Sequence, residues 1–128
     1  MNGLVTARSP HDVAETVAAI RREVEHRGAA VVAVVDHAGA ARKAGLSMPE
    51  TMVVSFGDPR AGTPLMQAVP EVAMDLPLRI MVRDDGRPGS LMTWQDPAYV
   101  GQRYGLTGDQ LKVLGTPAAI AEAVAGSA

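Results

Sequence analysis

One stretch, Thr51 to Met66, constrains the fold more than any other part of this chain. Thr51-Met52-Val53-Val54-Ser55-Phe56 is apolar and rich in β-branched residues, then stops at Gly57-Asp58-Pro59. A run this short, bounded by turn residues, predicts a strand. Gly62-Thr63-Pro64 then predicts a helix start, with Thr63 as N-cap and Pro64 at the first helical position, where its missing N–H costs nothing. A strand passing to a helix through a loop rich in glycine and charge is a common place for function to be built.

The other elements follow from local patterns. Leu4 to Ala7 reads as a short strand, and Ser9-Pro10 as a helix start with Ser9 the cap. Val13, Val17, Ile20 and Val24 recur at spacings of four, three and four, the stripe of an amphipathic helix, which Gly28 ends. Ala29 to Val35 is β-branched and uncharged, so it reads as a buried strand, closed by Asp36-His37. One or two helical turns are expected over 38–44, and a short helix over 64–69 that Pro70 ends. Leu78–Arg83 and Leu91–Trp94 flank the turn residues Asp85-Gly86, which predicts a hairpin. Three helical segments follow, starting at Pro97, at the capping box Thr107-Gly108-Asp109-Gln110, and at Thr116-Pro117. This order predicts a two-layer α+β fold. Helices pack on one face of a mainly antiparallel sheet of about five strands, in a single domain over 1–128.

Composition narrows the chemistry. With one Phe, one Trp and two Tyr, the core must be built from Val, Leu, Ile, Ala and Met. A net charge of −2 and so few aromatics leave neither a basic field nor a stacking platform, so no nucleic-acid partner is expected. The absence of cysteine excludes disulfides, thiolate metal sites and cysteine nucleophiles. The opening residues lack a signal-peptide pattern, and no apolar run reaches the ~18 residues that span a bilayer. The expectation is a cytoplasmic protein with no membrane partner.

Several pieces together resemble a known family. They are Asp36-His37-Ala38, Gly45-Leu46, Met48-Pro49, the stretch from Phe56 to Met66, Asp75-Leu76-Pro77-Leu78, and Trp94-Gln95-Asp96-Pro97 with Tyr99. They are similar to the bacterial domain of unknown function family 302, whose members commonly read Gly-Asn-Pro-Lys where this chain has Gly57-Asp58-Pro59-Arg60. The resemblance covers about 4–106, leaving 107–128 as a C-terminal helical extension. It implies a compact α+β domain, often a homodimer, and no established activity. Some relatives carry a cysteine where this chain has Gly57, so no thiol role transfers here.

The candidate site residues are Asp36, His37, Asp58, Arg60, Thr63, Asp75 and Trp94. His37, with an ordinary pKa near 6.5, is the candidate acid or base. Neighbours on a strand point to opposite faces, so Asp36 equally reads as a turn residue bonding nearby N–H groups. Arg60 could clamp an anion at the helix start after Thr63, or simply pair with Asp58 across Pro59. Asp75 reads as a cap or as a partner for Arg60 or Arg79. Met48, Met52, Met66, Met74, Met81 and Met92 read as adaptable core packing, or with Trp94 as the lining of an apolar pocket. The histidines show no metal-ligand spacing, so no metal is expected, and no cofactor is named. The leading reading is a small-molecule-binding module with a site near the 57–64 loop and strand end 36–37. A homodimeric interaction domain is the second. A small enzyme using His37 with Asp58 or Asp75 is the third.

Overall fold

The computed structural model describes residues 2–127. Its centre is one open five-stranded sheet in the order β1-β5-β4-β3-β2, antiparallel throughout. The strands are β1 (Leu4–Ser9), β2 (Ala30–Asp36), β3 (Thr51–Gly57), β4 (Leu78–Arg83) and β5 (Ser90–Gln95). The helices are α1 (Val13–His26), α2 (His37–Lys43), α3 (Pro59–Ala68), α4 (Pro97–Tyr104), α5 (Gly108–Leu111) and α6 (Thr116–Ala125). The fold is α+β, as the order of elements predicts.

β1 and β2 occupy opposite edges, and α1 carries the chain between them. Five strands set those edges about 19 Å apart, and fourteen helical residues span about 21 Å. α1 and α6 pack side by side over one face of the sheet. Strand alternation sends Val54, Phe56, Ile80, Val82, Met92 and Trp94 to that face, where they meet Val17, Ile20, Val24, Ile120 and Val124. A second, smaller core gathers Leu65, Val72, Val100 and Leu114 from α3, α4 and the 3₁₀ turns Pro70–Asp75 and Lys112–Gly115. Leu78 packs against both cores. Ile120, Ala121 and Val124 are essentially inaccessible, so the segment expected as a C-terminal extension is part of the main core.

Three local expectations are corrected. Ser9 does not cap α1; Asp12 does, accepting from the Glu15 N–H at 2.8 Å. Ser9 instead completes β1, opposite Ser90 on β5. There its hydroxyl joins a buried cluster: Ser9 Oγ lies 2.6 Å from Thr16 Oγ1, which lies 2.9 Å from Ser90 Oγ. Ser90 also donates to the His11 carbonyl at 2.9 Å. Thr63 and Pro64 do not start α3. Asp58 is its cap, accepting from the Arg60 N–H at 3.0 Å, with Pro59 at the first position. Aspartate is the stronger cap, and it follows the strand directly. Pro64 falls inside the helix and removes the N–H that the Arg60 carbonyl would accept. Finally, β2 is an edge strand rather than a buried one, with Val32 64% and Val35 43% exposed. β-branched residues suit any pleated strand, so their run does not distinguish edge from centre.

The turn from β4 to β5 needs glycine at position 89. Its φ is +78°, and a Cβ there would lie 2.1 Å from the Ser9 carbonyl oxygen. The hydroxyl cluster beside it gives a direct test. Thr16→Val keeps the shape but leaves two buried serine hydroxyls short of a partner, so stability should fall by about 1–3 kcal/mol. A lower urea midpoint at unchanged slope is the expected result; an unchanged midpoint would show that the cluster contributes nothing.

Candidate functional site

The sheet end where β2 begins and β3 finishes is not closed by the main core. Ala30 pairs with Gly57 there, and β3 runs straight into α3. α3 turns Leu65 into the second core, while Pro59, Gly62, Thr63 and Met66 recur at helical spacing on another face. That face forms one wall of a groove of about 410 Å³. Phe56, Leu76 and Leu78 line it from the sheet end, Val32 from β2, and Val113 from the last 3₁₀ turn. The lining is overwhelmingly apolar, with Asp58, Thr63 and Thr116 supplying polar groups. Its volume lies in the range of small-molecule sites.

Gly62 keeps the groove open. A Cβ at this position would have Met66 Cε at 3.8 Å and Leu76 Cδ1 at 3.9 Å, ordinary contact distances. A side chain therefore fits sterically, but it would occupy the groove.

Asp58 and Arg60 stand at one end of this groove as a forked ion pair. Arg60 Nε donates to Asp58 Oδ1 and Nη2 to Oδ2, both at 3.0 Å, and Nη2 also reaches the Gly28 carbonyl at 3.3 Å. The Arg60 side-chain bond, with its backbone N–H, holds the Asp58 carboxyl below the usual carboxylate range. Of the two roles the sequence offers Arg60, anion clamp or partner of Asp58, the guanidinium takes the second. Thr63 lies in the groove wall as a mid-helix residue.

The other sequence candidates lie elsewhere. Asp36 ends β2 and caps α2 by accepting from the Gly39 N–H at 2.8 Å. His37 is the first residue of α2 and is exposed. Both sit at the far end of β2 from Ala30, about 20 Å along the strand. Within one chain they do not join the groove, and His37 does not meet Asp58. Trp94, 7% exposed, is main-core packing and is not part of the groove lining. Among the described residues, no three His, Asp or Glu side chains cluster in a way that could hold a metal ion.

Asp75 belongs to a separate polar cluster beside a small cavity of about 30 Å³. It accepts from the Tyr104 hydroxyl and from Gln95 Nε2 at 3.1 Å, with Arg79 and Arg103 each at 3.7 Å. Arg79 is therefore its partner as anticipated, and Arg60 is not. Burial pushes the Asp75 carboxyl up, but the Tyr104 and Gln95 bonds and the two arginines outweigh it, and the net shift is downward. The same bond raises Tyr104. The cluster ties α4 and the Pro70–Asp75 turn to the ends of β4 and β5.

A carboxylate with a depressed folded-state pKa contributes stability above its unfolded value of about 3.9, and loses it as pH falls through the folded value. Tyr104→Phe leaves burial less opposed, so the Asp75 titration seen by carboxyl-carbon NMR should move up. Its stability penalty, about 1–3 kcal/mol near neutral pH, should shrink on acidification. An unmoved Asp75 titration with a pH-independent penalty would contradict the assigned cause.

The chain matches a known family along nearly its full length, at residues 5–124, described as domain of unknown function DUF302. A solved structure, an uncharacterised conserved DUF302 protein from Bacillus stearothermophilus, superimposes with a TM-score of 0.84 over 97% of this chain and 99% of that one, at 12% identity. Curated relatives include proteins named fluoride-specific ion channel FluC 1 in Brucella suis biovar 1 and Brucella abortus biovar 1, each 40% identical over 105 residues. Those residues are 82% of this chain but only 41% and 39% of the relatives, so the chain spans about two fifths of their length. The match over residues 5–124 takes in the strands, the Phe56–Met66 stretch and α6 alike: the chain belongs to the DUF302 family of domains of unknown function.

Proposed function

We propose that this protein is a small-molecule-binding module and that its site is the groove between α3 and the sheet end. The observation that carries this reading is the groove itself: about 410 Å³, apolar along its walls, with a few polar groups among them. This is the composition by which proteins hold a compact apolar molecule and orient its polar end. Its occupant is expected to be mainly hydrocarbon or aromatic, with a hydrogen-bonding end near Thr63, Thr116 or Asp58. The Brucella relatives support a modular role, because the matched region forms a minority of a longer chain in each. The channel activity in their names is not part of this proposal. The acid–base reading is less supported, since His37, Asp58 and Asp75 stand at three separate places.

Gly62 separates binding from stability. Gly62→Ala replaces an interior helical glycine without a clash, so it should stabilise the fold by about 0.5–1 kcal/mol. Gly62→Leu should fill the groove and reduce binding of 8-anilinonaphthalene-1-sulfonate, an apolar probe with one polar end, by about tenfold or more. Equal binding by wild type and Gly62→Leu, in a variant that unfolds cooperatively, would place the probe elsewhere and refute the site.

A further inference from the structure

The segment from Ala73 to Leu78 forms one wall of the groove and contributes Ala73, Leu76, Pro77 and Leu78 to its lining. Its backbone does little to fix its place. The turn Pro70–Asp75 is six residues of 3₁₀ helix, longer than this geometry usually persists, because its hydrogen bonds are poorly aligned. No side chain caps its start. Pro77 has no N–H to donate, and the Leu76 N–H meets the Ala73 carbonyl at a long 3.3 Å. Ala73 and Met74 are exposed, so packing holds neither.

Two side chains hold the segment from behind. Val72 is fully buried in the second core. Asp75, its side chain 11% exposed, lines the cavity of about 30 Å³ and not the groove. Among the described residues it is the only side chain from Pro70 to Leu78 that makes a hydrogen bond or ion pair. Its partners come from three elements: Tyr104 and Arg103 from α4, Gln95 from β5 and Arg79 from β4. α4 is itself fixed by Val100 in the second core and by its Asp96 cap, which accepts from the Ala98 N–H at 3.0 Å. Leu78 lines both the small cavity and the groove, so it joins the cluster to the binding surface.

We propose that Asp75 is a positioning residue for the groove: its bonds to Tyr104 and Gln95 set where Leu76, Pro77 and Leu78 stand, and so set the affinity for the groove's apolar ligand. This rests on the groove being the binding site. It puts control of that site in residues that do not line it, since neither Asp75 nor any of its four partners does so. The sensitivity is physical. An apolar groove holds its ligand by close contact, and a gap of about 0.5–1 Å forfeits a quarter to a half of the dispersion attraction at the atoms concerned. Coupling between two places is reciprocal, so a ligand in the groove must also disturb the cluster.

Dissociation constants for 8-anilinonaphthalene-1-sulfonate, read by fluorescence well below every unfolding midpoint, provide the test. Tyr104→Phe removes one bond of the cluster and no groove atom, and should weaken the probe about fivefold or more. Asp75→Ala removes the anchor and should weaken it further. Thr16→Val is the control. It is destabilised at the opposite end of β5 from Gln95 and should bind the probe as wild type does. In wild type, saturating probe should shift the side-chain amide resonances of Gln95. A purely structural cluster would lower the unfolding midpoint of Tyr104→Phe yet leave its dissociation constant at the wild-type value and the Gln95 signals unmoved, and that result overturns the proposal. Equal weakening in Thr16→Val would overturn it too, because lost stability alone would then account for the effect. If Tyr104→Phe binds normally while Gly62→Leu loses the probe, the groove stands and only the positioning role falls. If Gly62→Leu binds the probe normally, the groove reading has failed and this proposal falls with it.

Discussion

The cross-strand contact between Phe56 and Leu78 is the constraint on which most of this structure depends. The two residues are direct partners in the β3–β4 register. Phe56, the only phenylalanine, is fully buried in the main core, and Leu78 packs against both cores. Both also line the groove. In a chain with so few aromatics, one ring thus closes the end of the α1–α6 core and forms part of the groove lining. The β3–α3 connection that follows cannot move without disturbing this pair. The strand-to-helix junction at Asp58 is therefore held on its strand side by the most inaccessible part of the sheet.

How much of this was legible in the sequence depended on how local each determinant is. β3 and the β4–β5 hairpin could be read because each is a short apolar run between turn residues. The Thr107–Gln110 capping box could be read because both its bonds lie within one turn of helix. α3 starts five residues before the expected place because the chain offers two cap-and-proline pairs, Asp58-Pro59 and Thr63-Pro64. The first prevails through the better cap, with Pro64 tolerated inside the helix. Ser9 looked like a cap, yet its place is decided by Ser90, some eighty residues away. The exposure of β2 follows from strand order, which is wholly non-local. No property of the run Ala29–Val35 indicates whether one neighbour or two will pair with it.

The same distinction divides the candidate site. Asp58, Thr63 and the rest of the 57–64 stretch, expected as a loop and found as the β3 end and the first turns of α3, do lie at the groove, because the strand-to-helix junction locates them. Val32, Leu76 and Val113 were not anticipated as lining, since they converge from three different elements. The one available signal was the spacing of Pro59, Gly62, Thr63 and Met66, a helical face of small and adaptable residues that the misplaced helix start obscured. Asp75 and Trp94 stand apart from the groove: Asp75 sits in an ion-paired cluster that includes Arg79, one of the two partners its sequence context offers, and Trp94 packs in the core.

The central claim is that the groove, rather than the exposed apolar surface, takes up an apolar ligand. Methionine methyl NMR tests it most directly, because the chain distributes its methionines across every environment in question. Met66 lines the groove, Met92 is fully buried in the main core, and Met74 is 79% exposed. On titration with 8-anilinonaphthalene-1-sulfonate in ¹³C-methyl-methionine protein, the account predicts a saturable shift of Met66 with Met74 and Met92 unmoved. A shift of Met74 with Met66 unchanged would mean that the probe merely coats the surface, and would contradict the account.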